Sequence, residues 1–314
     1  TDAGITSTGY ENVTFDTGAG TTNQEQATST LTITPDSTSA AVSLTVTGNN
    51  GFDIDTSLTT TSTGLLTVDA SGMKAQAAGT TTFDIASTSQ GTGGTATITG
   101  SGGDDVIVVG NFATTFNGGA GNDTLTGGTA ADTINGGSGN DTITGSGGND
   151  TISGGDGNDG ITATTAGNYT ITGGAGNDTA DFGGTLTNAD SFDGGDGTDT
   201  LFLNNTSATT INAYSITATN TLNDKISNVE KIDFGSTLAQ SVDMGRLDGI
   251  SDIIIDNLAG DVTLSGLAAT NNVLIKATTG QALTLTLADV TGTSDAVNIN
   301  LKASAVINAN TVTA

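Results

Sequence analysis

Three observations predict an all-β chain, wound as a parallel β-helix or β-roll solenoid with Thr-rich β segments on either side. The first is a ninefold repeat at 118–162, reading GGAGNDTLT, GGTAADTIN, GGSGNDTIT, GSGGNDTIS and GGDGNDGIT without a gap. A fixed short period of this kind marks one structural unit stacked on itself. The second is composition. Of 314 residues, 47 are Gly and one is Pro, and hydrophobic residues make up 34%. That share is low for a single compact core but suits a thin core shared between stacked turns. The third is a period of two outside the repeat, as in STLTIT at 29–34 and VSLTVT at 42–47, which is the alternation of a half-buried strand.

In chain order, residues 1–99 form a Thr-rich β-solenoid segment. Strands are expected at Leu31–Thr34, Val42–Thr47, Leu65–Asp69, Thr81–Ile85 and Thr95–Thr99, parted by the turn-forming stretches Gly48–Gly51 and Gly91–Gly94. Residues 100–202 form the repeat domain. The register opens at Gly100 with GSGGDDVIV, and VGNFATTFN keeps only Phe116 of the pattern. After the five clear units, Ala163–Thr172 carries one residue too many but still places Ile171 where the apolar residue belongs. GGAGNDTAD at 173–181 restores the motif, Phe182–Asp193 is a longer turn, and GGDGTDTLF at 194–202 is the last clear unit. Residues 203–314 form a C-terminal β-rich solenoid or capping segment. Its expected strands are Val229–Phe234, Asp252–Asp256, Asp261–Leu264, Asn272–Lys276, Leu283–Leu287 and Val297–Leu301. Such flanks cover the open edges that a stacked solenoid would otherwise expose.

Within each unit, six residues make a loop and three make a short strand. Gly is expected at positions 1, 2 and 4 because the loop must visit φ > 0 and let backbone carbonyls converge. Position 8 points inward and is Leu125, Ile134, Ile143, Ile152 and Ile161 in the five units. Two units make one coil, so equivalent loops recur every 18 residues. One edge then stacks Asp105, Asp123, Asp141, Asp159, Asp178 and Asp199, and the other stacks Asp132, Asp150 and Asp190. Carboxylates ~5 Å apart at an effective dielectric of about 20 repel by ~3 kcal/mol per pair. A hard dication with oxygen ligands relieves that repulsion, and a Gly-rich coil is costly to order without it. Metal binding and folding are therefore expected to be coupled.

Net charge is −27, from 33 acidic and 6 basic residues. That balance makes nucleic acid a poor partner. The absence of Cys and His removes disulfides, the usual zinc sites and His- or Cys-based catalysis. No apolar run approaches the length of a membrane span. No G-x-S-x-G or H-E-x-x-H occurs, and no enzymatic activity is expected. The chain begins at Thr1 with no signal-like start and reads as an internal or C-terminal fragment.

At these residues the chain resembles the RTX (repeats-in-toxin) calcium-binding proteins of Gram-negative bacteria. The resemblance implies that position-6 Asp side chains and loop carbonyls hold several calcium ions between coils. Carried over, the ligands are Asp105, Asp123, Asp132, Asp141, Asp150, Asp159, Asp178 and Asp199, with Asp190 from the longer turn. The loop residues Gly118, Gly121, Gly136, Gly139, Gly154, Gly157, Asn122, Asn140 and Asn158 come in with them, lending backbone oxygen or shape. Two departures stand out. Ala130 replaces Gly at position 4, and Thr114 and Tyr169 occupy position 6, where no side-chain ligand is expected.

The flanking stretches LLTVDASGM at 65–73, ISNVEKIDF at 226–234 and LADVTGTSDAVNINL at 287–301 resemble segments between repeat blocks of RTX-type surface-layer (S-layer) proteins. This second resemblance implies a secreted, structural cell-surface protein, exported by type I secretion and folding on calcium. It implies a partner in further copies of itself, assembled as a lattice, with surface polysaccharide bound through regions outside this chain and no membrane insertion. An adhesin or ice-binding-type solenoid is the alternative, because Thr124, Thr133, Thr142 and Thr151 recur in register. A calcium-binding module of a secreted RTX enzyme is the second alternative.

Overall fold

The computed structural model describes residues 95–204 without a break. It also describes 5–8, 12–16, 31–34, 41–48, 53–55, 65–73 and 81–85 before them, and 225–239, 241–244, 247, 249–258, 261–268, 270–276, 283–287 and 298–301 after them. The described residues hold β-strands and turns but no α-helix, and every strand pairing among them is parallel. This is the expected parallel β-solenoid. The chain divides into two compact units, 1–162 with 166–170, and 163–165 with 171–314.

In the first unit one sheet runs Asn12–Asp16, Ala41–Gly48, Leu65–Met73, Thr95–Thr99, Ala113–Ala120, Thr133–Ser138, Thr151–Asp156. The other runs Asp53–Asp55, Thr81–Ile85, Asp105–Val109, Thr124–Thr126, Thr142–Thr144, Gly160–Thr162. Ile5–Thr8 pairs with Leu31–Thr34 apart from both. The chain alternates between the two sheets, so each coil contributes one strand to each. From Thr95 on, residues pair with those 18 positions on, as Leu125 with Ile143 and Phe116 with Ile134, whereas the earlier strands pair at longer spacings, as Ala41 with Leu65. In the second unit, Thr179–Asp181, Thr200–Leu203, Lys231–Leu238, Asp252–Leu258, Asn272–Ile275 and Asn298–Leu301 stack as one sheet, and Ser191–Asp196 pairs with Ile226–Ser227. Val242–Asp243, Val262–Leu267 and Leu283–Leu287 form a third layer of pairing.

The strands expected from period-two alternation are present. Leu31–Thr34, Thr81–Ile85, Thr95–Thr99 and Leu283–Leu287 have the expected bounds, and Ala41–Gly48, Leu65–Met73 and Asp252–Leu258 are longer. Asn272–Ile275 and Asn298–Leu301 are one residue shorter, and Lys231–Leu238 and Val262–Leu267 are shifted toward the C-terminus. The short strand Asp53–Asp55 escaped notice because DID carries one apolar residue and no alternation to detect. The core is the column of position-8 side chains. Ile107, Phe116, Leu125, Ile134, Ile143, Ile152 and Ile161 are all buried, as are Ile171, Ala180, Phe192 and Leu201 of the second unit. One large aliphatic or aromatic side chain per half-coil is what a two-sheet stack this narrow accommodates. The Thr residues on the strands do not form one array. Thr124 and Thr142 pair in one sheet, whereas Thr115, Thr133 and Thr151 line up in the other.

The glycines of the repeat serve two purposes. At positions 2 and 4 most of them carry positive φ, as at Gly137 (115°) and Gly139 (122°), a region costly for any side chain. At position 1 the φ is ordinary, and close approach explains the Gly. A Cβ at Gly118 would collide with Asp123 Oδ2 and lie 2.7 Å from Gly136 O. The expectation of positive φ at position 1 is therefore corrected: crowding by oxygen, rather than backbone conformation, keeps that position free of a side chain.

These two constraints predict a sharp contrast. Gly137→Ala places a methyl against Gly119 O at positive φ, whereas Gly147→Ala meets nothing nearer than Thr129 Cα at 3.8 Å. In calcium-saturated protein, urea denaturation should show the first destabilised by at least ~2 kcal/mol and the second within about 0.5 kcal/mol of the parent.

Candidate metal centre

Each position-6 Asp uses its two oxygens differently. In the first unit Oδ1 accepts the backbone N–H of the equivalent Asp one coil earlier. Asp123 accepts from Asp105 at 2.7 Å, Asp141 from Asp123 at 2.7 Å, and Asp159 from Asp141 at 2.8 Å. The other edge repeats this, with Asp132 accepting from Thr114 at 2.8 Å and Asp150 from Asp132 at 2.9 Å. In the second unit Asp199 accepts from Asp178 at 2.7 Å. The ladder exists because the 18-residue coil brings identical loops into register, and Asp is short enough to reach the main chain directly above it.

The second oxygen separates the loops into two groups. Asp123, Asp141, Asp150 and Asp199 are at most 2% exposed, and the Oδ2 of each has no hydrogen-bond partner. An ionised oxygen buried in that state is expensive. In the loop at 136–141, Oδ2 turns toward Gly136, where a Cβ would collide with it and would lie 2.5 Å from Gly154 O. The loop at 118–123 is built the same way, and at 173–178 a Cβ on Gly173 would meet both Asp178 Oδ2 and Gly194 O. Each cradle thus brings together a carboxylate oxygen of one loop and a backbone carbonyl of the next coil. Hard oxygen donors converging on a space that glycine keeps open are the donor set calcium takes. Gly118 and Gly136 frame these cradles, and Gly121 and Gly139 supply positive-φ turns at position 4. Bound there, calcium would neutralise the stacked carboxylates and tie successive coils together.

Asp105 and Asp132 satisfy Oδ2 within their own loops. Ser101 N donates to Asp105 at 2.5 Å, and Gly128 N donates to Asp132 at 2.9 Å. The loop at 127–132 shows why. With Ala130 at position 4, none of Gly127, Gly128 and Ala130 has positive φ, so the position-2 N–H closes onto the carboxylate. Asp190 is likewise engaged, its Oδ2 accepting from Thr187 N at 2.6 Å and Thr187 Oγ1 at 2.9 Å. Asn122 and Asn140 lie on the exposed side of their loops, and their side-chain oxygens accept the N–H of Asn140 at 2.8 Å and Asn158 at 2.6 Å. They form an outer ladder parallel to the Asp ladder.

Tyr169 is a feature sequence reasoning treated only as a missing ligand. It is fully buried, its hydroxyl donates to Ser146 O, and its Cε1 would lie 2.9 Å from a Cβ at Gly145. The ring and Ile152 Cδ1 fill the cradle beside Asp150 where the other edge has a carbonyl. Ser146, held by that bond, is one of two non-glycine residues with positive φ among the described residues (63°). The cue was available: an aromatic residue at position 6 must go inward or out to solvent.

Burial pushes the Asp123 carboxyl up to about 7; the Asp105 N–H opposes the shift, and the charges of Asp105, Asp141 and Asp104 add to it. Asp150 and Asp159 are pushed to about 6, again chiefly by burial. Their folded-state values lie above the ordinary 3.8, so the calcium-free folded form binds protons that the unfolded chain releases. That contribution to stability is complete below about pH 4 and is lost as pH rises through 6–7. In chelator, circular dichroism should therefore show more β-structure at pH 5 than at pH 8, the reverse of ordinary acid denaturation. With calcium present the midpoint calcium concentration should rise as pH falls below 7, because proton and cation compete. Asp141→Ala, which removes a free Oδ2 from mid-ladder, should weaken calcium uptake at least ~10-fold. Asp105→Ala, whose Oδ2 is already bonded, should do much less, as isothermal titration calorimetry will show.

A family model described as the RTX calcium-binding nonapeptide repeat (4 copies) matches residues 90–125, 108–143, 126–161, 163–184 and 186–205. No curated protein and no solved structure matches the chain. The matched residues span both edges of the carboxylate ladder and every cradle described above. Through this block, the chain carries the RTX calcium-binding nonapeptide repeat.

Proposed function

We propose that this chain is a structural, non-enzymatic protein of the bacterial cell surface, a calcium-dependent S-layer lattice subunit whose RTX β-roll folds when calcium binds. Proteins carrying this repeat are typically secreted and extracellular, where calcium is plentiful. The observation that carries the proposal is the set of buried Oδ2 atoms without partners at Asp123, Asp141 and Asp199. A chain that buries unpaired carboxylates in successive coils depends on the cation for its shape. Such a chain stays unfolded where calcium is scarce and sets rigidly where calcium is abundant, which suits a subunit exported unfolded by type I secretion and assembled outside the cell. The S-layer reading itself rests on the resemblance of 65–73, 226–234 and 287–301 to such proteins.

The adhesin or ice-binding reading has one supporting observation. Thr97, Thr115, Thr133 and Thr151 pair in sequence along one sheet, giving four outward hydroxyls in consecutive strands. Thr also suits any exposed strand position, so the column fits a subunit contact equally well. As a calcium-binding module of a secreted enzyme, the chain would need a catalytic domain elsewhere.

Calcium titration followed by circular dichroism should show a coil-to-β transition reversed by chelator. Electron microscopy at rising protein concentration should then show ordered two-dimensional sheets with calcium and none with chelator. Monomers at every concentration with thermal hysteresis activity would favour the surface-binding reading instead.

A further inference from the structure

The last repeat loop, Gly194–Asp199, has no further nonapeptide after it, yet its cradle is built like the others. Asp199 is fully buried and its Oδ2 has no hydrogen-bond partner. A Cβ at Gly194 would lie 2.5 Å from Asp199 Oδ2 and would collide with a backbone carbonyl. That carbonyl belongs to Asn228, in a stretch outside the family match, which ends at 205.

The pairing shows how 228–230 takes the place of a repeat loop. Phe192 and Asp193 pair with Ile226 and Ser227, and Thr200 pairs with Lys231. Between those pairs, the six residues 194–199 face only Asn228, Val229 and Glu230. Asn228 therefore stands where the next coil would place its position-1 Gly, and it has positive φ (52°). Its side chain donates to Asp193 Oδ1 at 2.7 Å, which holds the turn. Glu230 stands where the next coil would place its Asp, and its Oε2 accepts Asp199 N at 2.8 Å, the bond that Asp Oδ1 makes elsewhere in the ladder. Glu is one methylene longer than Asp, and the loop it closes is half as long, so the longer arm reaches the same point. Val229 is buried and anchors the turn.

We infer that a calcium site is formed between the last repeat loop and the segment 228–230, with Asp199 Oδ2 and Asn228 O as ligands and the Glu230 carboxylate supplying the second negative charge. This rests on the calcium reading of the repeat block. It makes calcium a junction between the repeat loop and the strand Lys231–Leu238 that follows, rather than a ligand of the nonapeptides alone.

The test uses the full chain and calcium itself, with ions counted by equilibrium dialysis and affinities taken from calorimetry. Glu230→Gln keeps an acceptor for Asp199 N but removes the charge. It should lose one ion, or bind one ion at least ~10-fold more weakly, with the others unchanged. Asn228→Gly keeps both carbonyl and positive φ and should bind like the parent, whereas Asn228→Val, strained at that φ, should lose the same ion. The Asn228 pair decides the matter should Glu230→Gln fail to fold in saturating calcium. Asp123→Asn is the reference for the repeat. Loss of an ion in Asp123→Asn together with parent-like binding in Glu230→Gln and Asn228→Val would overturn the junction and leave the repeat reading intact. Parent-like binding in all of them would overturn both.

Discussion

The structure depends on a single asymmetric arrangement of one side chain. A position-6 Asp gives Oδ1 to the backbone N–H of the neighbouring coil and is left with Oδ2 facing inward beside a glycine. The first half is a hydrogen bond to a charged acceptor, worth more than a neutral one and repeated at every coil. The second half, at Asp123, Asp141, Asp150 and Asp199, is a buried carboxylate oxygen without a hydrogen-bond partner. One carboxylate therefore both fixes the register and creates the need for a cation. A Ser or Asn at position 6 could make the first interaction without incurring the second, and the chain would then have no reason to wait for calcium. The proposed coupling of folding to metal rests on Asp in particular.

Whether a loop exposes that need is decided by its backbone. Where Gly at positions 2 and 4 takes positive φ, as in 136–141, no N–H reaches Oδ2. Where Ala130 prevents the turn, Gly128 N closes onto Asp132 Oδ2. Where Tyr169 replaces the next Asp, ring and methyl carbon fill the cradle. The two edges of the first unit thus diverge through backbone conformation and packing, although both carry Asp at position 6. One edge offers a run of equivalent cradles. The other is interrupted twice within two coils, so the cradles are unequally shared between the edges.

Much of this was legible in the sequence, because a nine-residue period with one apolar position leaves little freedom. The stacking partners, the inward column from Phe116 to Ile161 and the unequal edges all follow from counting residues. Four things did not. The reason for Gly at position 1 is a contact between coils, and no local rule for glycine contains it. The distinction between Asp132 and Asp141 depends on where a neighbouring N–H points, and both residues look identical in a motif. The role of Glu230 was hidden because its loop is half the usual length; only the strand pairing on either side shows that it stands in for Asp. The Thr residues were misjudged for a related reason, since a ninefold recurrence alternates between two sheets and only the 18-residue recurrence shares a face.

The C-terminal coils show what replaces calcium where the nonapeptide stops. Asp233 is 4% exposed, and Lys276 Nζ lies 3.4 Å from its Oδ2 and 2.5 Å from Asp256 Oδ1. A tethered ammonium between two carboxylates does there what a free cation does in the repeat, at no cost in captured ligand. It also avoids leaving a buried charge alone, which is the costly case. The same coils bury more apolar surface, with Ile253, Ile255 and Leu258 all inward on one strand, against one such residue on Thr142–Thr144. Each large side chain so buried contributes roughly 1.5–3 kcal/mol. In these coils the chain itself supplies a counter-charge and the apolar burial. They provide a formed edge on which the metal-dependent loop at 194–199 can close, with Asn228 and Glu230 at the point of contact.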